Sequence, residues 1–162
     1  GVTIHTNSLA SQDVPAVNSH YKSWRKPILE SGASLFEARH DAAIKASMVD
    51  TKPISARYMG LHSKSLVMDR RLAVIGSANL DPRSAFLNSE MIAVIDSQSL
   101  AEELAAAILR DTSAANSWEV DLNDKDQIIW RNDVETVSRQ PARNGWQRFQ
   151  DLLFMLFPKR LY

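Results

Sequence analysis

The 162-residue sequence contains no cysteine, which excludes disulfide bonds, thiolate metal sites and a cysteine nucleophile. It also lacks an excess of either charge, since 19 lysine and arginine residues balance 19 aspartate and glutamate residues. Proteins that hold nucleic acid backbones usually carry a marked basic excess, so the zero net charge disfavours nucleic acid as a partner. Internal repeats and low-complexity segments are absent as well. The composition therefore predicts a folded protein that acts on something other than nucleic acid.

The chain opens at Gly1, without a methionine or a signal peptide, and runs directly into a strand-like segment. We therefore expect it to be a piece of a longer protein, whose targeting or membrane segments would lie upstream. Apolar residues make up 44% of the sequence, which is enough to fill one core. Residues 1–162 are accordingly predicted to form a single domain that is soluble by itself.

Predicted helices and strands alternate along the chain. A long helix is expected to be capped by Asp13, kinked at Pro27 and ended by Gly32. Its apolar residues recur at three- and four-residue steps and are Val14, Val17, Tyr21, Trp24 and Ile28. A capping box that begins at Ser99 predicts a second helix. Strands are predicted at residues 2–6, 33–38, 62–69, 72–76, 90–95, 118–122 and 128–130, with a long loop over residues 40–58. This interleaving predicts an α/β fold in which helices pack on the faces of a mixed β-sheet.

Two short segments, separated by six residues, carry groups suited to phosphoryl chemistry. Successive side chains of a strand alternate between faces, so His62 and Lys64 are predicted to project together. Ser77 and Asn79 are predicted to do the same on the next strand. An imidazole can attack phosphorus, and an ammonium and an amide can hold phosphoryl oxygens. Gly76 would let the backbone approach a ligand closely.

With Asp69 between the two segments, these residues match the HxKx4Dx6GSxN signature of the phospholipase D superfamily at every position. A chance match of this kind is on the order of one in 10^8 per starting position. The resemblance implies that His62 is a nucleophile that forms a phosphohistidine. It also implies that Lys64 and Asn79 bind the phosphoryl group, that Ser77 assists and that Asp69 orders the motif from below. No metal and no cofactor are implied.

Two carboxylates, Asp69 within the motif and Glu90 after it, are candidates for supporting roles. The resemblance implies that a carboxylate after the motif holds the second nitrogen of His62, and Glu90 stands where such a residue is expected. Asp69 has an alternative, because it can equally be the turn residue of a hairpin with Arg70 and Arg71.

The continuation from Asn79 to Glu90 resembles the NxDxRSxxLNxE block of bacterial cardiolipin synthases. The opening segment, residues 6–9, is similar to the start of the second half of such proteins. Arg83 is suited to binding a phosphate or a carboxylate, with a structural ion pair as the alternative. Asn7 ends a predicted strand, where sites of α/β proteins commonly lie, so Asn7 and Arg83 are candidate substrate-binding residues. The resemblance implies a C-terminal half and a location on the surface of the bacterial inner membrane.

Residues 144–158 form a predicted amphipathic segment rich in tryptophan, phenylalanine and leucine. Its helical part is too short to span a bilayer, which needs roughly 20 residues. It can lie in the membrane interface, with basic residues at the headgroups, or it can close the protein core.

Together these observations predict transfer of a phosphatidyl group between phospholipids, as in cardiolipin synthesis, through a phosphohistidine. The partner would be an N-terminal half with a second HxKx4D motif, or a homodimer mate, whose histidine acts as acid and then as base. One alternative is phosphodiester hydrolysis, as in a phospholipase D or a dimeric nuclease of the same superfamily. Another is a non-catalytic, lipid-binding half that completes the site of a partner.

Overall fold

The structure is a computed structural model and describes residues 1–156. Its strands are β1 (Thr3–Asn7), β2 (Ser34–Ala38), β3 (Ser65–Met68), β4 (Leu72–Gly76), β5 (Ile92–Asp96), β6 (Ser117–Leu122), β7 (Ile128–Arg131) and β8 (Thr136–Val137). Its helices are α1 (Pro15–Tyr21), α2 (Arg25–Glu30), α3 (Lys45–Met48), α4 (Pro82–Phe86), α5 (Gln98–Asp111) and α6 (Gly145–Phe154). The predicted α/β class is confirmed.

The chain forms two compact units, and each has a sheet of its own. The large unit contains residues 1–61 and, of the described chain, residues 111–156. Its five strands have the order β1-β2-β6-β7-β8; β1 and β2 run parallel, and the other neighbours are antiparallel. The motif unit, residues 62–110, contains the antiparallel sheet β3-β4-β5. The two-residue strand β8 was not predicted.

The core of the large unit lies on one face of its sheet. Leu35 of β2 packs there with Trp118 and Val120 of β6 and with Trp130 of β7. The alternation that predicted β6 therefore places its apolar side chains inside, and β7 is its antiparallel partner as predicted.

A buried ion pair lies beside this core. The Arg25 guanidinium donates to the Glu37 carboxylate at 2.5 Å, and both side chains are almost completely inaccessible to solvent. Glu37 also accepts hydrogen bonds from the Tyr21 hydroxyl at 3.0 Å and from the Trp130 indole at 2.9 Å. Burial and the nearby Glu37 carboxylate raise the pKa of Tyr21 far above its usual range. Every member of this network has a partner, as a buried polar group requires.

The single kinked helix predicted after β1 is wrong, because the chain forms α1 and α2 instead. Within a continuous helix, Pro27 would lack an N–H donor and its ring would clash with the preceding turn. In the structure Pro27 lies in the first turn of α2. Backbone N–H groups in the first turn make no hydrogen bond within the helix, so the missing N–H of proline costs nothing there. The predicted cap at Asp13 is also wrong: the N-cap is Val14, since Pro15 takes the first helical position that proline favours.

The burial of these helices differs from the amphipathic prediction as well. Val17 and Trp24 are exposed, whereas Asn18 and Ser19 are buried. Asn18 is buried because its side-chain amide donates to Asp151 of α6 at 2.7 Å. The helix predicted to follow a capping box at Ser99 is α5. It begins earlier, at Gln98, and the side chain of Ser97 rather than Ser99 accepts from the N–H of Leu100.

The remaining connections match the predictions in outline. Residues 40–58 are loop apart from the single turn of α3.

The predicted amphipathic segment begins at Asn144, which caps α6 by accepting from the N–H of Gln147 at 2.9 Å. Its last two residues, 157 and 158, lie outside the described range. No helix within residues 1–156 combines the length and the apolar character that crossing a membrane requires.

Candidate active site

The HxK segment lies immediately before β3 rather than inside it. Its backbone nevertheless continues the pairing with β4, since the N–H of Gly76 donates to the carbonyl of Lys64 at 3.1 Å. The Lys64 ammonium donates to the carbonyl of His62 at 2.8 Å. The His62 side chain is exposed and Lys64 is half-buried. The two ends of the motif are therefore neighbours across a hairpin.

Gly76 ends β4 where two backbones approach each other closely. A Cβ at this position would lie 2.2 Å from the carbonyl oxygen of Met91 and 2.8 Å from the Cα of Ile92. The next residue, Ser77, donates its N–H to the same Met91 carbonyl at 2.9 Å. The glycine is therefore needed for the pairing of β4 with β5, in addition to any contact with a ligand.

Glu90 is the centre of a hydrogen-bonded cluster. One carboxylate oxygen accepts from the Ser77 hydroxyl at 2.5 Å, and the other accepts from Ser84 at 2.9 Å and Asn88 at 3.2 Å. These hydrogen bonds, led by that of Ser77 and assisted by the positive charge of Lys64, lower the pKa of Glu90. Glu90 is therefore an ionised carboxylate in this site.

The resemblance to the phospholipase D superfamily implies a contact between Glu90 and the His62 ring. Among residues 1–156 no hydrogen bond joins the two side chains; the side-chain donors to Glu90 are Ser77, Ser84 and Asn88. The structure thus joins Glu90 to the GSxN segment and not to the histidine.

Ser84 is a connecting residue that the sequence analysis did not single out. Asp81 caps α4 by accepting from the N–H of Ser84 at 2.8 Å. The Ser84 hydroxyl accepts from the backbone N–H of Asn79 at 3.2 Å while it donates to Glu90. The Asp-Pro-Arg-Ser block was the available signal, since aspartate three residues before serine is a helix-capping pattern. Arg83 and the Asn79 side chain are exposed.

Asp69 lies at the tip of the β3–β4 hairpin. Asp69 and Arg70 have φ angles of 52° and 53°, and the N–H of Arg71 donates to the carbonyl of Met68 at 3.0 Å. Two left-handed residues between paired strands are the pattern of a type I′ turn, and aspartate tolerates that conformation. This geometry agrees with the turn alternative for Asp69.

Asn7 holds the backbone just ahead of the motif. Its side-chain amide donates to the carbonyl of Leu61 at 2.7 Å, and its oxygen accepts from the N–H of Leu61 at 2.8 Å and from Ser11 at 2.8 Å. Gly60 belongs to the same arrangement, because a Cβ there would lie 2.8 Å from the carbonyl oxygen of Ser11. Asn7 thus fixes the residue next to His62, and its predicted contact with substrate stays a prediction.

The described residues contain no group of three or more histidine, aspartate or glutamate side chains placed to hold one metal ion.

A family model and curated relatives of this chain carry the same description, cardiolipin synthase. A family model described as cardiolipin synthase, PLD-like domain, matches residues 2–112. Cardiolipin synthase C of Escherichia coli K12 is 32% identical over 161 residues, which are 97% of this chain and 34% of that protein. Cardiolipin synthase A of Erwinia tasmaniensis is 32% identical over 97 residues, which are 60% of this chain and 16% of that protein. No solved structure gives a significant match.

The chain thus spans about one third of the length of cardiolipin synthase C. The family model covers more than half of the chain, including every residue of the HxKx4Dx6GSxN motif. The chain therefore belongs to the family of cardiolipin synthase, PLD-like domains.

Proposed function

We propose that this chain is one catalytic half of a phosphatidyltransferase that joins two phospholipids, with His62 as its nucleophile. The observation that carries the proposal is the complete motif at the ends of one hairpin, where the Gly76 N–H to Lys64 carbonyl hydrogen bond makes HxK and GSxN neighbours. The relatives named cardiolipin synthase support the same class of reaction.

In the first step an imidazole nitrogen of His62 attacks the phosphorus of a donor lipid. The bond between phosphorus and the leaving alcohol breaks, and a histidine from a second motif protonates the departing oxygen. In the second step the hydroxyl of an acceptor lipid attacks the phosphohistidine. It gives its proton to the second histidine, and His62 is released.

The other motif residues would stabilise charge on the phosphoryl oxygens during both steps. The Lys64 ammonium and the Asn79 side-chain amide are suitable donors, and both are in the half that carries the nucleophile. The ionised Glu90 holds the Ser77 hydroxyl at 2.5 Å, and this contact supports a positioning role for the carboxylate. The second histidine must come from another half or from a second copy of this chain, because the sequence carries one complete motif.

The test measures products formed from labelled phosphatidylglycerol by the chain together with the rest of its protein. Transfer yields cardiolipin and glycerol, whereas hydrolysis yields phosphatidic acid. We expect cardiolipin, and a loss of more than about 10^3-fold in His62→Ala, because a nucleophile has no substitute. His40→Ala, a histidine outside the motif, is the matched control and should retain activity.

Glu90→Gln should lose less, about tenfold to a hundredfold, the rate equivalent of one charged hydrogen bond. Phosphatidic acid as the main product would support hydrolysis instead. Normal cardiolipin formation by His62→Ala would contradict the catalytic assignment and favour a non-catalytic half.

The 162-residue chain alone should turn over phospholipid poorly unless it dimerises. Adding the other half, or raising the concentration, should then increase the specific activity. Full activity in a strictly monomeric sample would show that one motif is sufficient.

A further inference from the structure

Helix α6 is held to the large unit by its polar side. Gln147 and Asp151 are only 3% and 8% exposed, although both are polar. Gln147 donates to the carbonyl of Leu9 at 2.5 Å, and Asp151 accepts from Asn18 at 2.7 Å and from Lys22 at 2.9 Å. Hydrogen bonds and an ion pair, rather than apolar packing, therefore fix this side of the helix. The apolar side of α6 makes none of these contacts and is available to a binding partner.

The opposite side of α6 presents a continuous apolar surface to solvent. We define the α6 apolar face as Trp146, Phe149, Leu152 and Leu153, which recur at three- and four-residue spacing and so share one side of the helix. Trp146 is 64% exposed and Phe149 is 52% exposed, and their rings stack with centroids 5.4 Å apart. Exposed apolar clusters of this kind mark interaction sites.

A cationic recess adjoins this face. It has a volume of about 350 Å³, and Phe149 and Leu152 line it together with Lys22, Arg139, Gln140 and Arg148. Asp151 also lines it, but this carboxylate is already paired with Lys22. Within residues 1–156 neither Arg139 nor Arg148 has an ion-pair partner. The recess therefore offers two guanidinium groups beside apolar side chains.

We propose that the α6 apolar face and this recess together form a docking surface for an anionic phospholipid bilayer. Guanidinium groups bind phosphate in a bidentate manner, and aromatic side chains favour the boundary between headgroups and acyl chains. A bilayer surface presents both chemistries side by side. A soluble phosphate compound would leave the apolar face uncovered. A second copy of the chain would bring two sets of unpaired arginines towards each other.

The surface uses none of the motif residues and lies entirely in the large unit. It is therefore a second lipid-binding element, independent of the proposed catalytic function. Its physical consequence is that the chain attaches to the membrane whether or not a substrate occupies the motif.

The test measures binding of the 162-residue chain to vesicles by sedimentation. Vesicles of equal amounts of phosphatidylglycerol and phosphatidylcholine should bind the chain, and vesicles of phosphatidylcholine alone should bind it much less. The double variant Phe149→Ser with Leu152→Ser should lower the partition coefficient about tenfold or more, because it removes apolar area from the interface. Val134→Ser changes an even more exposed apolar residue between β7 and β8; it is the control and should bind as the unmodified chain does.

Charge is tested separately. Arg139→Glu with Arg148→Glu should abolish the preference for phosphatidylglycerol, since each basic residue near an anionic surface strengthens binding about fivefold. Lys52→Glu, an exposed residue of the loop between α3 and β3, should change binding little. His62→Ala should bind vesicles normally even if it is inactive, which separates this proposal from the catalytic one.

Three outcomes would overturn the proposal. The unmodified chain could fail to bind either kind of vesicle. The α6 double variant could bind vesicles as well as Val134→Ser does. The α6 variant could instead abolish a dimer while vesicle binding persists, which would assign the face to a second copy. Circular dichroism of each variant identifies any that fail to fold, and the arginine pair provides a second, independent set of substitutions.

Discussion

The large unit buries two tryptophans, Leu35, Val120 and a complete ion-pair network, whereas the buried side chains described in the motif unit are all small. Among the residues of 62–110 whose burial the structure describes, the buried side chains are Ala73, Ser84 and Ala101. One face of the motif sheet exposes Leu66 and Met68 of β3 and Val94 of β5, with Val74 of β4 between Leu66 and Val94. The unit that carries the HxKx4Dx6GSxN motif therefore derives less stability from its own burial than the unit that carries the α6 apolar face.

The largest expected effect concerns the ion pair of the large unit. Arg25→Met should lower the free energy of unfolding by about 3–5 kcal/mol, because it leaves the Glu37 carboxylate buried without its counter-charge. Arg131→Met is the matched control and should cost about 1 kcal/mol or less, since its pairs with Glu119 and Asp121 are exposed to solvent. Urea unfolding followed by tryptophan fluorescence measures both. Equal costs would mean that the buried network does not stabilise the large unit more than a surface pair.

A smaller effect should be confined to the motif unit. Gly76→Ala forces a Cβ against the Met91 backbone, so we expect about 1–3 kcal/mol of destabilisation and faster hydrogen exchange in β4 and β5. Amides of β1 and β2 should exchange as before. Gly145→Ala has no atom within 4 Å of the added Cβ and should leave exchange unchanged in both units. Equal acceleration in both sheets would show that the two units open together.

The smallest effect is a pH dependence of the large unit. Burial lowers the pKa of His5, although the negative charge of Asp111 partly opposes this shift, and its ring bonds Ser117 at 3.0 Å. Below its usual pKa of about 6.5, the unfolded chain binds a proton that the folded chain resists, so stability falls as the pH decreases. The free energy of unfolding, measured from about pH 7.5 to about pH 5.5, should therefore decline less in His5→Gln. An unchanged slope in that variant would exclude His5 as the cause.

Local sequence signals predicted the strands of the motif and the apolar, buried face of β6. Both features depend on the alternation of side chains along a strand and on the residues that form turns. They predicted the faces of α1 and α6 less well. Asn18 is buried by a partner 133 residues away, and no local pattern contains that contact. Apolar periodicity assumes that the apolar side of a helix faces inward, and α6 is attached by its polar side instead.

The motif residues themselves could be found from spacing, but their contacts could not. Four polar motif residues lie just outside the regular strands, where side chains no longer alternate strictly between faces: His62, Lys64, Ser77 and Asn79. The environment of Glu90 depends on the fold of residues 77–91, in which Ser84 reaches both Asn79 and Glu90. That arrangement follows from the Asp81 cap of α4 and not from the motif pattern.

The pairing of Asn7 with Leu61 sets a practical limit on transplanting this candidate site. A protein engineer who grafted only residues 62–90 onto another scaffold would carry over every motif residue. The graft would lack Asn7, the side chain that fixes the backbone next to His62 and lies 54 positions before Leu61. The smallest transferable module therefore includes β1 through Asn7, and chimeras between related proteins should exchange both segments together.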